Sequence, residues 1–302
     1  MKVNHLIAGC LCALGAETLF GLSYYFTKQA TDLVDPFAFL GWRFLIAAGA
    51  MIVGALTGVI KIDLKGKKLK PLILVAFFNP AAYFFLEILG ISNTTASESG
   101  VVLACIPIAS LVASAVFLKE MPHRRQVAGI LVTLAGALVT VLAVGASSSL
   151  SVFGYVMLLG AMVAYALYCV SVDKAAEFTG IEITFVMMAA GGIVFPVLAV
   201  AEAALAGDVG TLLTLPFAVP GFLKAILYTG FGASILGAFL SNLAIAKIGV
   251  NRSSSFIGVS TVVSIVAGVL LLGEAFSVAQ LIGAVLILAG IYIANSYHSE
   301  GE

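Results

Sequence analysis

Among the ionisable side chains in apolar segments long enough to cross a lipid bilayer, Glu17, Arg43 and Glu87 are the candidates for chemistry. A charge near the centre of a bilayer costs about 2.5–3.5 kcal/mol on insertion scales, so each group needs a compensating role. A carboxylate there can exchange a proton or hold a cation, and a guanidinium can clamp a carboxylate. Glu17 and Glu87 are therefore candidate proton-coupling residues. Arg43 is a candidate ion-pair partner for Glu87, with a backbone contact or a bound molecule as alternatives.

Glu17 belongs to a polar stripe along one face of its predicted helix. Glu17, Gly21, Tyr24 and Lys28 fall at i, i+4, i+7 and i+11, which places them on one face of an α-helix. Such a face is unfavourable against lipid, so we expect it to face a cavity or other helices. The structural alternative for Glu17 is a hydrogen bond to a neighbouring helix.

A second stripe lies in the third apolar segment, where Asn79, Tyr83 and Glu87 recur at four-residue spacing. The related positions in the second half of the chain carry small residues, namely Ala233, Gly237 and Ser241. A face of bulky polar side chains opposite a face of small side chains predicts an asymmetric cavity suited to a small molecule. Asn79 has an alternative role, which is to satisfy backbone groups released by Pro80, a residue that kinks this helix.

Further residues are predicted to line or gate the same cavity. Tyr165 and Tyr168 of the sixth segment can line it, although aromatic residues of membrane helices also serve as packing or interface anchors. Pro107 and Pro196 mark kinks that could act as gates. The complete predicted lining is Glu17, Tyr24, Asn79, Tyr83, Glu87, Pro107, Tyr165, Tyr168, Gly237, Ser241 and Asn242.

The composition indicates a protein embedded in a lipid bilayer. The chain is 62% hydrophobic and 10% charged, whereas soluble domains carry about 25% charged residues. The four cysteines fall in apolar runs without a CxxC pair, so neither a disulfide nor a metal site is expected. A net charge of zero argues against a nucleic-acid partner. Because no nucleophile–base pair or phosphate-binding loop is visible, we expect neither an enzyme nor a bound cofactor.

A spanning helix needs about 20 mostly apolar residues, and by this rule the sequence predicts ten spans. They cover residues 6–29, 36–60, 71–91, 97–118, 126–144, 152–173, 183–206, 219–246, 253–272 and 277–296. Lysine and arginine concentrate in cytoplasmic loops, and twelve of the fifteen basic residues fall on the side that carries both termini. We therefore predict cytoplasmic termini and an exposed cytoplasmic loop at 61–70. The protein is expected to be a multi-pass protein of the cell membrane, and specifically of a bacterial inner membrane.

Two stretches of the chain are similar in sequence, and each predicts a membrane hairpin. Residues 118–137 and 272–291 match at a constant offset of 154 residues, which aligns Glu120 with Glu274 and Gln126 with Gln280. Five spans in each half is an odd number, so the second half must enter the membrane inverted relative to the first. The predicted fold is thus an all-α integral membrane protein of ten transmembrane helices, built as two inverted five-helix repeats. The repeats comprise residues 1–146 and 147–302.

Four sequence patterns resemble the EamA-type unit of the drug/metabolite transporter superfamily. They are FGLSYYFTK at 20–28, DPFAFLGWRFLIAA at 35–48, FLEILGISNTTASESGVVLACIP at 85–107 and LLLGEAFSVAQLIGAVLILAGIYIA at 270–294. The resemblance covers essentially the whole chain. It implies a central cavity between the two halves and, in many members, export. It does not select among amino acids, sugars, nucleotide-linked metabolites, cations and drugs as substrates.

The combined expectation is a secondary transporter that works by alternating access and exports a small polar or amphipathic metabolite, such as an amino acid. The alternative is a proton-coupled multidrug or organic-cation exporter, which Glu17 and the aromatic residues would suit. The cavity is expected between spans 1, 3, 4, 6, 8 and 9. Glycines 129, 136, 283 and 290 predict close helix packing in spans 5 and 10, where a dimer contact is one possibility. The expected partners are a small-molecule substrate and the lipid bilayer, with a monomer or homodimer as the assembly.

Overall fold

The computed structural model describes residues 2–31, 33–94, 99, 102–143, 151–272 and 277–296. This part of the chain is helical apart from turns and loops, which confirms the predicted all-α class. The helices are α1 (Lys2–Thr31), α2 (Pro36–Leu56), α3 (Lys70–Ser92), α4 (Ile106–Leu118), α5 (Arg124–Ala143), α6 (Val152–Lys174), α7 (Gly180–Ala206), α8 (Val209–Ala218), α9 (Phe222–Ser255), α10 (Gly258–Leu272) and α11 (Val278–Asn295). Glu98, Glu274 and the side chain of Lys28 lie outside the described residues.

Seven helices of the described chain are long and apolar enough to cross a membrane. They are α1, α2, α3, α6, α7, α9 and α11. The apolar helices α4 and α10, which the sequence also predicts as spans, are shorter. A multi-pass membrane protein is thus established. The short α8 was not predicted, and it is attached to α2 by the Trp42 indole, whose Nε1 donates to the Leu212 carbonyl at 2.9 Å.

Helix starts are specified by local capping residues. Asp35 accepts a hydrogen bond from the Phe37 N–H at 2.8 Å, and Pro36 follows at the first turn of α2. Thr179 and Glu182 form a reciprocal capping box at the start of α7. These contacts satisfy backbone donors of the first helical turn, which have no partner within the helix.

The two glutamines that align in the repeat match have the same structural role. Gln280 accepts a hydrogen bond from the Ser277 N–H at 2.8 Å at the start of α11. Gln126 accepts one from the His123 N–H at 2.8 Å at the start of α5. Each glutamine therefore caps the first turn of its helix, which gives a physical reason for their appearance in register.

Glu120, the third aligned polar residue that the structure describes, lies in the connection between α4 and α5. The Ser114 hydroxyl donates to its carboxylate at 3.4 Å. Burial raises the pKa of Glu120, and the nearby Asp173 carboxylate adds to this effect.

The helix backbone is interrupted where the chain borders the molecular interior. Residues Phe77–Ala82 of α3 form a π-helical segment in which Asn79 is extended (φ −146°, ψ 116°) and the Asn79–Pro80 bond is cis. Residues Tyr228–Gly237 of α9 form a second π-helical segment at the related position of the second half. Gly249, with φ +75°, breaks α9 nearer its end. Such interruptions often mark functional sites in helices.

Pro107 follows a break in the predicted fourth span, where residues 104–105 form a turn between the helical residues 102–103 and α4. It lies in the first turn of α4, just after the turn that ends at Cys105. Proline is well accommodated there because the N–H that it lacks would have no intrahelical partner. Pro196, by contrast, lies inside α7.

Packing between helices is reciprocal between the two halves. The pairs α5–α11 and α2–α7 pack extensively. α1 packs on α9 and α10, and α6 packs in the same way on α3 and α4. The aromatic core between α2 and α7 contains Phe44 and Phe195, whose rings stack at 5.0 Å between centroids.

The 57–69 connection is mostly exposed, as the sequence predicts for 61–70, but one of its lysines is held against a helix. Lys65 and Lys68 are exposed, but the Lys67 ammonium lies 2.8 Å from the Glu182 carboxylate at the start of α7. Glu182 also accepts a hydrogen bond from the Asp63 N–H at 3.0 Å. The loop is thus attached to the start of α7.

Candidate functional site

A cavity of about 200 Å³ lies between the two halves of the chain. Helices α1, α2, α3, α4, α6, α7 and α9 contribute to its wall, together with Ile257 and Ser260 around the start of α10, whereas no described residue of α5 or α11 does. The lining includes Tyr24 and Ile91, which are 51% and 41% exposed, near the ends of α1 and α3. At the opposite end the walls are formed by Tyr168, Met187 and Ser241, which are all buried. The cavity is therefore open at one end and closed at the other.

The structure brings many of the sequence-predicted residues to this cavity. Those that line it are Glu17, Tyr24, Asn79, Tyr83, Glu87, Tyr165, Tyr168 and Ser241. The aromatic members form one continuous wall, because Tyr83 packs edge-on against Tyr165 and Tyr165 packs likewise against Tyr168, both at 5.4 Å between ring centroids. This wall offers apolar ring faces and hydroxyl groups to the same space.

Arg43 occupies a buried position on the cavity wall. Its Nε donates to the Ser234 hydroxyl at 2.8 Å, which ties α2 to the π-helical segment of α9. The guanidinium carbon lies 4.9 Å from the Phe84 ring centroid and 5.4 Å from that of Phe44, within the range of cation–π attraction. Because Nε is hydrogen-bonded to Ser234 and the guanidinium lies close to the rings of Phe44 and Phe84, the guanidinium is held in one orientation.

Arg43 and Glu87, which the sequence makes candidate partners, form no ion pair with each other among the described residues. Glu87 instead accepts a hydrogen bond from the Tyr83 hydroxyl at 2.5 Å, one turn earlier in α3. Arg43 has its own partner in α9. Both groups line the cavity with separate partners, so each can contact a molecule bound between them.

Glu17 lies in the middle of α1, is 6% exposed and lines the cavity beside Ser260. Gly21, one turn further along the same stripe, faces α10 instead. A Cβ at this position would lie 2.7 Å from the Ser260 carbonyl oxygen, so only glycine permits this approach. The stripe therefore combines a cavity residue with a packing contact.

Three predicted lining residues lie outside the cavity wall. Pro107 begins α4, as described above. Gly237 lies behind Phe20, and a Cβ there would meet that ring at 2.8 Å. Asn242 is fully buried, where its Oδ1 accepts from the Tyr168 hydroxyl at 2.8 Å and its Nδ2 donates to Thr184 Oγ1 at 3.1 Å. Gly237 and Asn242 thus support cavity residues from the second layer.

Sequence reasoning missed the contributions of α2 and α7 to the wall. These residues are Phe39, Leu40, Phe44, Met187 and Met188. They are ordinary apolar residues in apolar helices, so their types carry no signal that distinguishes cavity from core. Arg43 was the one available signal for α2, since a buried guanidinium requires a polar neighbour.

The glycines expected to allow close helix packing lie between α5 and α11 of the same chain. A Cβ at Gly136 would lie 2.6 Å from the Gly283 carbonyl oxygen, and one at Gly129 would lie 2.5 Å from that of Gly290. The two backbones are thus in direct contact. This surface is occupied within the chain, so it cannot be the dimer contact that the sequence had allowed.

A charged, aromatic cavity enclosed by apolar membrane helices defines a multi-pass membrane transporter. The chain belongs to the EamA-like transporter family, whose sequence model matches residues 7–142 and 152–296. The resemblance seen in the sequence is thereby confirmed.

Similar proteins carry transporter names. The chain is 34% identical over 287 residues to the uncharacterized transporter YcxC of Bacillus subtilis, covering 94% of this chain and 92% of that protein. It is 27% identical to a probable terminal-alkyne amino-acid exporter of Streptantibioticus cattleyicolor, over 71% and 69% of the two chains. It is 24% identical to a probable amino-acid metabolite efflux pump of Salmonella typhimurium, over 93% and 92%.

The fold also has a counterpart among solved structures. One crystal structure superposes with a TM-score of 0.76 at 20% sequence identity, covering 95% of this chain and 97% of the other. At this identity the likeness concerns the fold alone.

Proposed function

We propose that this protein is a secondary transporter that exports a small zwitterionic metabolite, such as an amino acid. The observation that carries this proposal is the presence of Arg43 and two carboxylates, Glu17 and Glu87, on the wall of one cavity. A guanidinium recognises a substrate carboxylate, and a carboxylate recognises a substrate ammonium group. The names of two relatives, an amino-acid exporter and an amino-acid metabolite efflux pump, point in the same direction.

The size of the cavity supports a small substrate. Sites for drug-sized ligands occupy about 300–1,000 Å³, whereas this cavity occupies about 200 Å³. The second candidate, proton-coupled export of organic cations, is favoured by the tyrosine wall and the two carboxylates, which could surround a cation. Arg43 opposes it, because a fixed positive charge repels a cationic substrate.

We propose that the fold is ten spans arranged as two inverted repeats, divided near residue 146. Reciprocal packing supports a two-fold relation, since α1 contacts α9 and α10 as α6 contacts α3 and α4. The paired π-helical segments in α3 and α9 support the same relation. In this arrangement the cavity lies where the repeats meet, as expected for carriers built from inverted repeats.

Cytoplasmic termini and a bacterial inner-membrane location remain part of the proposal. The 57–69 connection contacts the start of α7 through Lys67 and Glu182. His5 near the start of α1 lies 3.4 Å from the Lys247 ammonium in α9. Each contact joins segments that the basic-residue distribution assigns to the cytoplasmic side, so the assignment is internally consistent. A reporter fused after Glu302 should be active only if it is a cytoplasmic reporter, and periplasmic activity would reverse the orientation.

The function is tested by transport in proteoliposomes. The purified protein is reconstituted and assayed for counterflow of radiolabelled L-amino acids and, separately, of a quaternary ammonium dye, with and without a proton gradient. We expect counterflow of at least one amino acid and none of the dye. Transport of the dye alone would replace the proposed function with the cation exporter.

Proton coupling is tested with Glu17→Gln and Glu87→Gln. If either carboxylate carries the coupling proton, its glutamine variant should lose gradient-driven accumulation and retain part of the exchange activity. If both variants respond to the gradient like the parent, the two carboxylates recognise substrate and the carrier is a facilitator.

A further inference from the structure

A group of polar side chains lies directly beyond the closed end of the cavity. Ser110 of α4, Cys169 of α6 and Ser254 of α9 are 0%, 2% and 3% exposed, and the Cys169 thiol lies beside both serines. We refer to these three residues as the buried polar cluster. None of them lines the cavity, and no role in the site described above uses them.

The cluster continues the line of the cavity wall on three helices. Ser110 follows the lining residue Ile106 by one helical turn, and Cys169 directly follows the lining residue Tyr168. Ser254 precedes the lining residue Ile257 by three positions. The cluster therefore extends the cavity away from its open end, between α4, α6 and α9.

The hydroxyl groups of this cluster have no nitrogen or oxygen atom as a hydrogen-bond partner. Ser110 Oγ and Ser254 Oγ have only the Cys169 thiol beside them, and Asn251 Oδ1, one turn before Ser254, has no partner. The Cys169 sulfur is a weak hydrogen-bonding group and does not replace one. Other buried hydroxyls in these helices bond to the carbonyl one turn earlier, as Ser171 and Thr229 do at 2.7 Å. Unsatisfied buried polar groups cost free energy and require an explanation.

Breaks in the helices lie close to the cluster. The turn at Cys105 precedes Ser110 by about one helical turn, and Gly249, with φ +75°, precedes Ser254 by five residues. Element ends of this kind are where helices absorb the backbone change of a conformational switch. The helices around the cluster can thus separate without disrupting long regular segments.

We propose that the buried polar cluster is the closed half of the substrate pathway, and that its side chains contact water and substrate when the protein opens on this side. This inference rests on the proposed transport function. It gives these hydroxyls a role, since water in the open state supplies stronger hydrogen-bond partners than the Cys169 thiol does in the closed state. The three cluster side chains are hydroxyls and a thiol, so they can solvate a small polar substrate without holding it tightly, as release requires.

Cys169 provides a native reporter for this opening. In a variant with Cys10, Cys12 and Cys105 replaced by serine, Cys169 is the single thiol. A sulfonated maleimide that does not cross the bilayer is added to right-side-out and to inside-out vesicles, with and without a mixture of L-amino acids. We expect modification to be at least about ten-fold faster from the membrane face opposite the present cavity opening than from the other face.

The matched control is Ala137→Cys in a background that also carries Cys169→Ala. Ala137 is 5% exposed and lies in α5, which contributes no described residue to the cavity. If Cys169 is modified no faster than this control in either condition, the cluster stays closed and the inference is overturned. Modification needs no transport assay, so rapid one-sided labelling without amino-acid counterflow would retain this pathway and reject only the proposed substrate.

A double variant, Ser110→Ala and Ser254→Ala, separates this role from a purely structural one. Removing these two hydroxyls should leave the melting temperature nearly unchanged, because the closed state loses only weak contacts with the Cys169 thiol. Modification of Cys169 should slow about five-fold, because the open state loses its hydrated partners. A lower melting temperature together with faster modification would mean that the hydroxyls stabilise the closed packing, which contradicts the proposal.

Discussion

The α5–α11 pair and the helices around the cavity differ in how their backbones pack. Between α5 and α11, glycine removes side chains so that two regular backbones touch, as at Gly136 and Gly283. Around the cavity, π-helical segments in α3 and α9 remove regular backbone pairing so that polar side chains project into a space. The comparison indicates a rigid pair at the periphery and a deformable set of helices around the substrate.

The largest effect should come from filling the α5–α11 contact. In Gly136→Val, the added Cβ would lie 2.6 Å from the Gly283 carbonyl oxygen and 2.8 Å from the Ile287 nitrogen. Overpacking costs about 1–3 kcal/mol and more where backbone cannot yield, so the variant should lose most of its monodisperse protein on size-exclusion chromatography. The control Gly49→Val places its Cβ where nothing lies within 4 Å. Equal behaviour of both variants would refute the view of α5–α11 as a rigid pair.

On the cavity side, Arg43→Ala should cause the largest loss of transport. Hydrogen bonds to charged groups contribute about 1.5–3 kcal/mol, so amino-acid counterflow should fall about 10- to 100-fold. Arg43→Lys should not restore it, because an ammonium lacks the planar fork. Ser234→Ala removes only the Nε partner and should give an intermediate loss. Near-normal transport by Arg43→Ala would exclude the guanidinium from substrate binding.

Tyr83→Phe tests the polar part of the aromatic wall with a smaller change. It removes the hydroxyl that donates to Glu87 at 2.5 Å and keeps the ring against Tyr165. We expect about a ten-fold rise in KM with the protein still folded, and a larger rise for Tyr83→Ala. The control is Tyr292→Phe in α11, which should be neutral because Tyr292 is 75% exposed. An unchanged KM in Tyr83→Ala would place the substrate elsewhere.

The smallest effect should come from the Lys67–Glu182 ion pair. The Lys67 side chain is 24% exposed and that of Glu182 is 4% exposed, but Glu182 keeps its capping bonds, so Lys67→Ala should cost about 1–2 kcal/mol. We expect a rise of about two- to five-fold in the Cys169 modification rate, since a tether at the closed end is released. Lys65→Ala, an exposed lysine of the same loop, should leave the rate unchanged. A matching change in both variants would point to a general charge effect.

Much of the fold could be predicted because a lipid bilayer fixes the length of a spanning helix and requires its backbone groups to be hydrogen-bonded. The ends of α2 and α6 were predicted to within a few residues. The signals were apolar runs of about 20 residues, capping residues and the positions of prolines. The break in the fourth span lies directly before Pro107, where the sequence predicted a kink. The helix α8 was missed because a ten-residue segment is too short for the spanning rule.

The sequence by itself determined the membrane solvent, the family, the polar stripes of α1 and α3 and the glycine faces of α5 and α11. All of these depend on residue type and on spacing along one helix. The tertiary structure decided which side chains meet across helices. Arg43 bonds to Ser234 rather than Glu87, Asn242 supports Tyr168 from behind, and Met187 joins the wall. These outcomes depend on the rotation of each helix against its neighbours, and many weak contacts spread over the whole chain set that rotation.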